Sequence, residues 1–426
     1  MTQPLYSSYH FGMGFSYSSY LSRRTAMKLA AASAVLASCA PVRQKQDRHV
    51  AVIGGGIIGT SIAYHLAKEG IRVTLIEKDT VCTRASRGTF AWINATWAKQ
   101  PRHYHSFSQK GLTGWKRVQS ELDIPIRWEG SLEWFPSDER QAKLAKQIQE
   151  QVDWGEPAKM VALKELTALE PNVDFGDIKQ VAFSPNDGAV NPILASQKFT
   201  EAARLMGTII KTNCFVRRVE AMSNGRSKLL TSTGDIVVDK YVVATGANED
   251  APKRLAGISI PQRSTPGVIA ISKPYKRLIN RIIVAPGVHI HQREDGRIVL
   301  GEQAGAPNTM AHAERLKGRP NLFPNESYAQ QHAKQILAIA EQYVPEISKV
   351  EIEDVYIGWR PLPVDGHPVL GPSESQPNAY LAIMHSGVSL APIVGEFVAK
   401  EIATDLTIPN LENYRPNRSF ETIKRY

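Results

Sequence analysis

The spacing of apolar positions alternates between two periods along this chain, and each change of period marks an element. Residues 50–53 form an unbroken apolar run rich in β-branched side chains, the pattern of a strand covered on both faces. Ile58, Ile62 and Leu66 then recur at the spacing of one buried helix face, Gly70 stops that helix, and residues 72–76 read as the next strand. The spacing predicts helices over 104–121 and 138–153, a short helical turn over 164–169, and strands over 126–129 and 131–135. Pro192 suits the first turn of a helix that would bury Phe199, Ala202, Ala203 and Met206 on one face and end at Gly207. Strands are expected over 209–211 and 216–221, then a hairpin turn at Thr233-Gly234-Asp235, then the apolar run 241–246 ending in Ala-Thr-Gly. Longer strands are expected over 258–272 and 281–300, the latter with a turn at Asp295-Gly296. Ala333, Ile336, Leu337 and Ala340 pattern a further helix. Residues 358–371 are dense in turn formers, 380–384 read as a strand, and Ile393, Val394, Phe397, Val398 and Ile402 mark the buried face of the last helix.

The first of these units carries chemistry. Gly54, Gly56 and Gly59 occupy the G-x-G-x-x-G positions between the first strand and its helix. Gly54 permits the tight turn, Gly56 lets backbone approach a pyrophosphate, and Gly59 lets the helix pack close to the strand. The free N–H groups and positive end of the helix then face phosphate oxygens. Glu77, 23 residues after Gly54, is placed to accept hydrogen bonds from a ribose. A complete strand–turn–helix–strand–acid unit predicts a bound dinucleotide; taken alone it leaves FAD and NAD both open.

A chain of 426 residues can bury a large core and make two domains, or one with a large insertion, and its hydrophobic and charged fractions of 42% and 22% are those of a globular protein. The net charge of +10 is spread without a long Lys/Arg run or interleaved aromatics, which argues against nucleic acid as a partner. His289 and His291 share one face of their strand, but no further ligand cluster accompanies them, so no metal is expected. Cys82 and Cys214 lack C-x-x-C spacing and are expected to be small buried residues. At the N-terminus, Ser22-Arg23-Arg24-Thr25-Ala26-Met27-Lys28 resembles a twin-arginine export motif, followed by an Ala-rich apolar stretch too short to span a bilayer. It ends in Leu36-Ala37-Ser38-Cys39, which resembles a bacterial lipobox with Cys39 as the lipidated residue. These imply a lipoprotein on the periplasmic side of a bacterial membrane, held there by its lipid anchor.

Four stretches together resemble the FAD-dependent D-amino acid oxidase superfamily, which includes glycine oxidase and sarcosine oxidase. They are the 54–77 unit, Asp187-Gly188 through Pro192 and its helix, 242–246, and 358–371 with 385–392. The resemblance implies an α/β fold in which a Rossmann-like FAD-binding domain is interleaved with an α+β substrate domain built on a largely antiparallel sheet. It implies FAD rather than NAD, with Gly54, Gly56, Gly59, Glu77, Ser86 and the backbone of Val216 on the nucleotide side. Gly246, Gly358, Gly387, Val388 and Ser389 complete the cofactor set, the last three at a helix N-terminus able to stabilise negative charge on the flavin ring. Arg360, in Gly-x-Arg-Pro, matches the arginine that grips a substrate carboxylate in glycine oxidase-like members. No histidine lies in 78–99 and no cysteine follows Cys214, so the FAD is expected to be non-covalent.

The domain division expected is signal 1–39, tether 40–48, FAD-binding segments 49–100, 185–255 and 355–426, and substrate segments 101–184 and 256–354. The activity expected is oxidation of the C–N bond of an amino acid or N-alkyl amine by hydride transfer to flavin N5, with imine hydrolysis and oxygen or a membrane quinone as acceptor. Arg360 is the expected orienting residue, with His289, His291 and Trp134 as further pocket candidates. A hydroxy-acid or polyol dehydrogenase of the same fold, or an electron-transfer lipoprotein without its own substrate, are the competing expectations.

Overall fold

A computed structural model describes residues 48–94, 99–302 and 318–423, so the export signal and Cys39 lie outside the described residues. The chain opens with β1 (His49–Ile53), α1 (Ile57–Lys68) and β2 (Arg72–Ile76). Next come β3 (Trp92–Ile93), α2 (Arg102–Leu122), β4 (Ile126–Arg127), β5 (Ser131–Glu133) and α3 (Asp138–Asp153). β6 (Lys159–Ala162), α4 (Leu163–Leu169), β7 (Gln180–Ser184), β8 (Gly188–Val190) and α5 (Pro192–Leu205) follow. β9 (Ile209–Lys211) precedes a meander of β10 (Val216–Ala221), β11 (Ser227–Thr231) and β12 (Ile236–Val238), then β13 (Lys240–Val243) and α6 (Asp250–Ala256). The last third holds β14 (Gln262–Pro274), β15 (Ile282–Ala285), β16 (Val288–Gln292), β17 (Arg297–Glu302) and α7 (Glu326–Glu341). β18 (Ile352–Pro363), β19 (Val369–Pro372), β20 (Ala379–Ile383) and α8 (Gly387–Thr404) complete it.

Two large sheets carry the architecture. The first has the order β19-β20-β13-β1-β2-β9, parallel except for the β19–β20 hairpin. One of its faces packs on α1, α2 and α8, through Ile62, Leu66, Phe107, Val394 and Val398. The other packs on the meander and α6, through Val216, Leu229, Tyr241 and Leu255. Because β1 leads through α1 to β2 on one side while β13, arriving from the meander, pairs on its other side, the strand order reverses beside β1 and a crevice opens at the C-terminal ends of β1 and β13, where open α/β sheets bind ligands.

The second sheet has the order β18-β14-β17-β16-β15-β5-β7-β6, antiparallel at every pairing but β15–β5. Its two faces are chemically distinct. Leu132, Ile283, Ile290, Leu300 and Ala270 point to a core closed by α7 through Ile336 and Ala340. Their alternating neighbours, Glu133, Val284, His289, Gly301 and Ile269, lie in one register row on the opposite face. That face meets the loop after β2, whose Phe90 and Trp92 pack on Val284, Ile282 and Ile269.

Several expectations change. Residues 358–371 are not mainly turns: 358–363 continue β18, which pairs with β14 over its whole length. The prolines are tolerated because β18 is the edge strand. The 281–300 stretch is three strands rather than two, since Gly287 takes a φ of +85° and turns β15 into β16. Met206 is 44% exposed because it is the C-cap residue, past the packed turns of α5. Trp134 is no pocket residue: it lies in the α7-side core against Phe175 and Tyr343, on the other face from His289. Cys82 and Cys214 are buried and form no disulfide among the described residues.

Candidate functional site

The glycine cradle is set by close backbone approach. Gly54 has a φ of +114°, and a β-carbon there would stand 2.3 Å from the Ala244 carbonyl at the end of β13. At Gly59 a β-carbon would come within 1.8 Å of the Gly54 carbonyl, so α1 can sit this close to its strand only without a side chain. Gly56 is the N-cap of α1, no acid occupies the first turn, and Ser86 Oγ accepts from Ile57 N–H at 3.0 Å. The Glu77 carboxylate accepts from Gly55 N–H at 2.6 Å and Asp79 N–H at 2.9 Å, and so holds the loop open beside the crevice. Thr245 Oγ1, next to the Gly54 contact, is buried with no hydrogen-bond partner among the described residues, and a β-carbon at Gly246, φ +57°, would meet none of them within 4 Å. A helix start with no acid in its first turn, a side-chain-free turn and an orphaned hydroxyl fit the nucleotide half of a dinucleotide. Val216 begins β10, and its carbonyl accepts from Arg254 Nη1 at 2.7 Å.

A second helix N-terminus meets the first. Ser386 takes a left-handed conformation, φ 58°, ahead of α8, and Gly387 packs against Ile58. Pro392, inside α8, has no N–H to give the Val388 carbonyl four residues earlier; Trp115 Nε1 of α2 donates to that carbonyl instead, at 2.7 Å. Ser389 Oγ accepts from Asn94 N–H at 3.0 Å and donates to the Trp92 carbonyl at 3.3 Å. Tyr104 of α2 donates to Ser386 Oγ at 3.3 Å. A β-carbon at Gly111 of α2 would stand 2.4 Å from the Ser389 carbonyl, so the start of α8 is clamped between α2 and the loop.

The sheet wall supplies the third component. Gly358 and Gly88 touch backbone to backbone: a β-carbon at 358 would lie 2.1 Å from the Gly88 carbonyl. This fastens the loop that also carries Ser86, Phe90 and Trp92 onto β18. Two residues along β18, the Arg360 guanidinium lies against Gly267 of β14, where a β-carbon would meet Nη2 at 2.6 Å. Arg360 has no hydrogen-bond or ion-pair partner among the described residues, and with Arg263, Thr265 and Leu362 it lines a small cavity. His289, on the same face, packs edge-on against Phe90 and Trp92. Burial and the nearby Arg360 charge hold its pKa down at about 4, so it is neutral near pH 7. His291 is fully buried and donates from Nε2 to the Phe90 carbonyl at 2.8 Å. Burial first, then Arg293, lowers its pKa to about 3.

Val216 and His291 aside, the expected site residues fall into three groups: a glycine turn with Gly54, Gly56, Gly59, Glu77, Ser86 and Gly246; a second helix start at Gly387, Val388 and Ser389; and a wall holding Gly358, Arg360 and His289. His291 braces the loop from beneath. Phe90, Trp92 and Trp115 complete the arrangement. No sequence signal marks Trp115, because its partner is a carbonyl freed by a proline 277 positions away.

A Rossmann-like cradle, a second helix N-terminus and an antiparallel wall with an arginine unpaired among the described residues define a flavin-dependent oxidoreductase. The family model described as FAD dependent oxidoreductase (DAO) matches residues 49–401, and the chain belongs to that family; its cofactor is FAD. The chain is 26% identical to glycine oxidase of Bacillus licheniformis over 361 residues, covering 82% of this chain and 92% of the relative. It is 23% identical to one of the subunits of opine oxidase of Agrobacterium tumefaciens over 364 residues, 83% of this chain and 92% of the relative. Among solved structures, L-proline dehydrogenase from P. horikoshii superposes with a TM-score of 0.75 at 24% identity, covering 87% of this chain and 97% of that one. Glycine oxidase from Geobacillus kaustophilus gives 0.75 at 20% identity, over 88% and 100%.

Proposed function

We propose that this protein oxidises the C–N bond of an amino acid or carboxylate-bearing N-alkyl amine. The observation that carries the reading is Arg360: a permanently charged guanidinium without an anionic partner among the described residues, held against Gly267 beside a neutral histidine. A substrate carboxylate would complete it through two parallel N–H···O bonds, which fixes the carbon next to nitrogen in one orientation. His289 adds a polar contact without adding charge. Phe90 and Trp92, packed on the wall, keep water from that end of the site. Bound FAD supplies the two-electron acceptor for the oxidation. Gly54, Gly56, Gly59, Glu77, Ser86 and Gly246 would hold its nucleotide half, and the α8 start at Gly387, Val388 and Ser389 its ring side. Relatives named glycine oxidase, opine oxidase and L-proline dehydrogenase support an amino-acid-like substrate.

The test is anaerobic reduction of the holoenzyme by panels of amino acids, N-alkyl amines and 2-hydroxy acids. Amino acids or amines are expected to bleach the flavin; bleaching only by hydroxy acids overturns the reading. Arg360→Lys is expected to keep its FAD and lose roughly a hundred-fold in kcat/KM, since a point charge cannot reproduce the fork.

The N-terminal motif supports a further part of the proposal: twin-arginine export, lipidation at Cys39, and delivery of electrons to oxygen or a membrane quinone on the periplasmic side. Cys39→Ser is expected to move the protein from the membrane to the soluble fraction; unchanged membrane association refutes the anchor.

A further inference from the structure

The cavity beside Arg360 holds a second guanidinium that the reading above leaves without a task. Register fixes its place. Arg360 of β18 is the partner of Thr265 on β14, and Arg263, the partner of Leu362, stands two residues along β14 from Thr265. Arg263 and Thr265 therefore project from the same face as Arg360, and the two arginines are diagonal neighbours on adjacent strands. Such neighbours are roughly 7–8 Å apart, so two guanidinium groups on long stems can reach one small molecule between them. Both line the same cavity, with Thr265, Leu362, Val364 and Ile423 making up much of its wall. Arg360 is half-buried and Arg263 exposed, so the pair runs from the wall towards solvent.

The cavity is short of negative charge. None of the described residues lining it is an acid. Asp365, in the turn between the lining residues Val364 and Gly366, is committed to Arg418, taking Nε at 2.8 Å on one oxygen and Nη2 at 3.2 Å on the other. Arg263 donates from Nη2 to the Ile423 carbonyl at 3.3 Å and has no ion-pair partner among the described residues. Ile423 is itself held beside the cavity, its N–H donating to the Val364 carbonyl at 3.1 Å. A neutral carbonyl anchors the Arg263 side chain without neutralising it. Two guanidinium groups keep their charge near neutral pH, and side by side they repel each other unless an anion lies between them.

We infer that the substrate carries two carboxylates, one gripped by Arg360 and the second received by Arg263 on the same face of the wall. The inference rests on the proposed C–N oxidation reading and narrows it to short dicarboxylic amines, of the size of glutamate or iminodiacetate. Thr265, directly opposite Arg360 and two residues from Arg263, would set its hydroxyl against the atoms that join the two carboxylates. A monocarboxylic amine fills one fork and leaves the other in water.

The test compares ligands that differ only in the second carboxylate. Holoenzyme, wild type and Arg263→Gln, is titrated calorimetrically with glutarate and with pentanoate. Flavin reduction is followed anaerobically with iminodiacetate against N-ethylglycine, and with both enantiomers of glutamate against norvaline. Wild type is expected to favour the dicarboxylate of each pair by roughly ten-fold or more, as an added charge-assisted contact allows. Glutamine keeps a donor for the Ile423 carbonyl but carries no charge, so Arg263→Gln is expected to bring each ratio close to one. Arg263→Lys, which keeps the charge and loses the fork, is expected to retain part of the preference. Equal affinity of wild type for glutarate and pentanoate overturns the assignment, and so does a ratio that survives unchanged in Arg263→Gln. Reduction by norvaline or N-ethylglycine but by neither dicarboxylic amine overturns it too. Each ratio is taken on one FAD-loaded protein, so a variant of lower melting temperature still decides the question. An Arg263-dependent preference for glutarate without reduction by any amine leaves the assignment standing and refutes the C–N oxidation reading instead.

Discussion

Gly267 and Gly358 are neighbours across two paired strands, yet their β-carbons would meet different obstacles. At Gly267 the obstacle is the guanidinium of Arg360, the mobile end of a long side chain. Gly267→Ala is therefore expected to fold and bind FAD normally but push the guanidinium aside, raising the KM for a carboxylate substrate roughly ten-fold; an unchanged KM shows that Arg360 does not meet the carboxylate there. At Gly358 the obstacle is the Gly88 backbone, which cannot swing away. Gly358→Ala is expected to cost about 1–3 kcal/mol of stability and to lower FAD content, read by thermal melting and by the ratio of flavin to protein absorbance. The difference between these two glycines is invisible in the sequence, where both sit in Pro/Gly-rich stretches.

At the scale of elements, the first βαβ unit is legible because each requirement on it is local: β-branched run, glycine turn, helix face and acid all lie within residues 50–77. α2, α3 and α5 are legible for the same reason, since their apolar stripes repeat within a few turns. β18 is not, because its prolines and glycines signal turns unless the strand is known to be an edge, which depends on pairing with β14 nearly a hundred residues earlier. Arg360 can be picked out from its motif, whereas Arg263 cannot, because only strand register places it beside Arg360. The α8–α2 junction is likewise non-local, and it can be tested. Trp115→Phe leaves the buried Val388 carbonyl without a donor and is expected to cost about 1–3 kcal/mol. In a Pro392→Ala background, which restores the helical N–H, the same change is expected to cost less. Equal costs in the two backgrounds, measured by urea unfolding, would show that packing rather than the hydrogen bond matters.

Over the whole molecule, buried neutral histidines tie stability to pH. Burial lowers the pKa of His65 and His105 to about 4 and that of His291 to about 3. These folded values lie below the unfolded one near 6.5, so the unfolded chain takes up protons first and stability falls as pH drops from about 6.5 towards about 4. Glu133, raised to about 8, acts in the opposite sense, its folded form keeping a proton that the unfolded form releases above its ordinary pKa. With His289 also held at about 4, four histidines act in one sense in this window, against the raised acids Glu133, Glu156 and Glu170. Urea unfolding is expected to show lower stability at pH 5 than at pH 7. His65→Gln is expected to reduce that slope by up to about 1.4 kcal/mol per pH unit. A slope unchanged in the variant would remove His65 from the account.

The crossing of Gly88 over Gly358 also makes the protein's two ligands interdependent. One side of that joint continues to Ser86 at the α1 N-terminus and the other to Arg360, so anything that steadies one side steadies the other. Thermodynamic reciprocity then requires that a carboxylate which binds more tightly in the presence of FAD also tightens the binding of FAD by the same factor. Caproate in the dialysis buffer is expected to retard flavin loss from wild type and not from Arg360→Ala. Idle enzyme would shed its cofactor more readily than working enzyme.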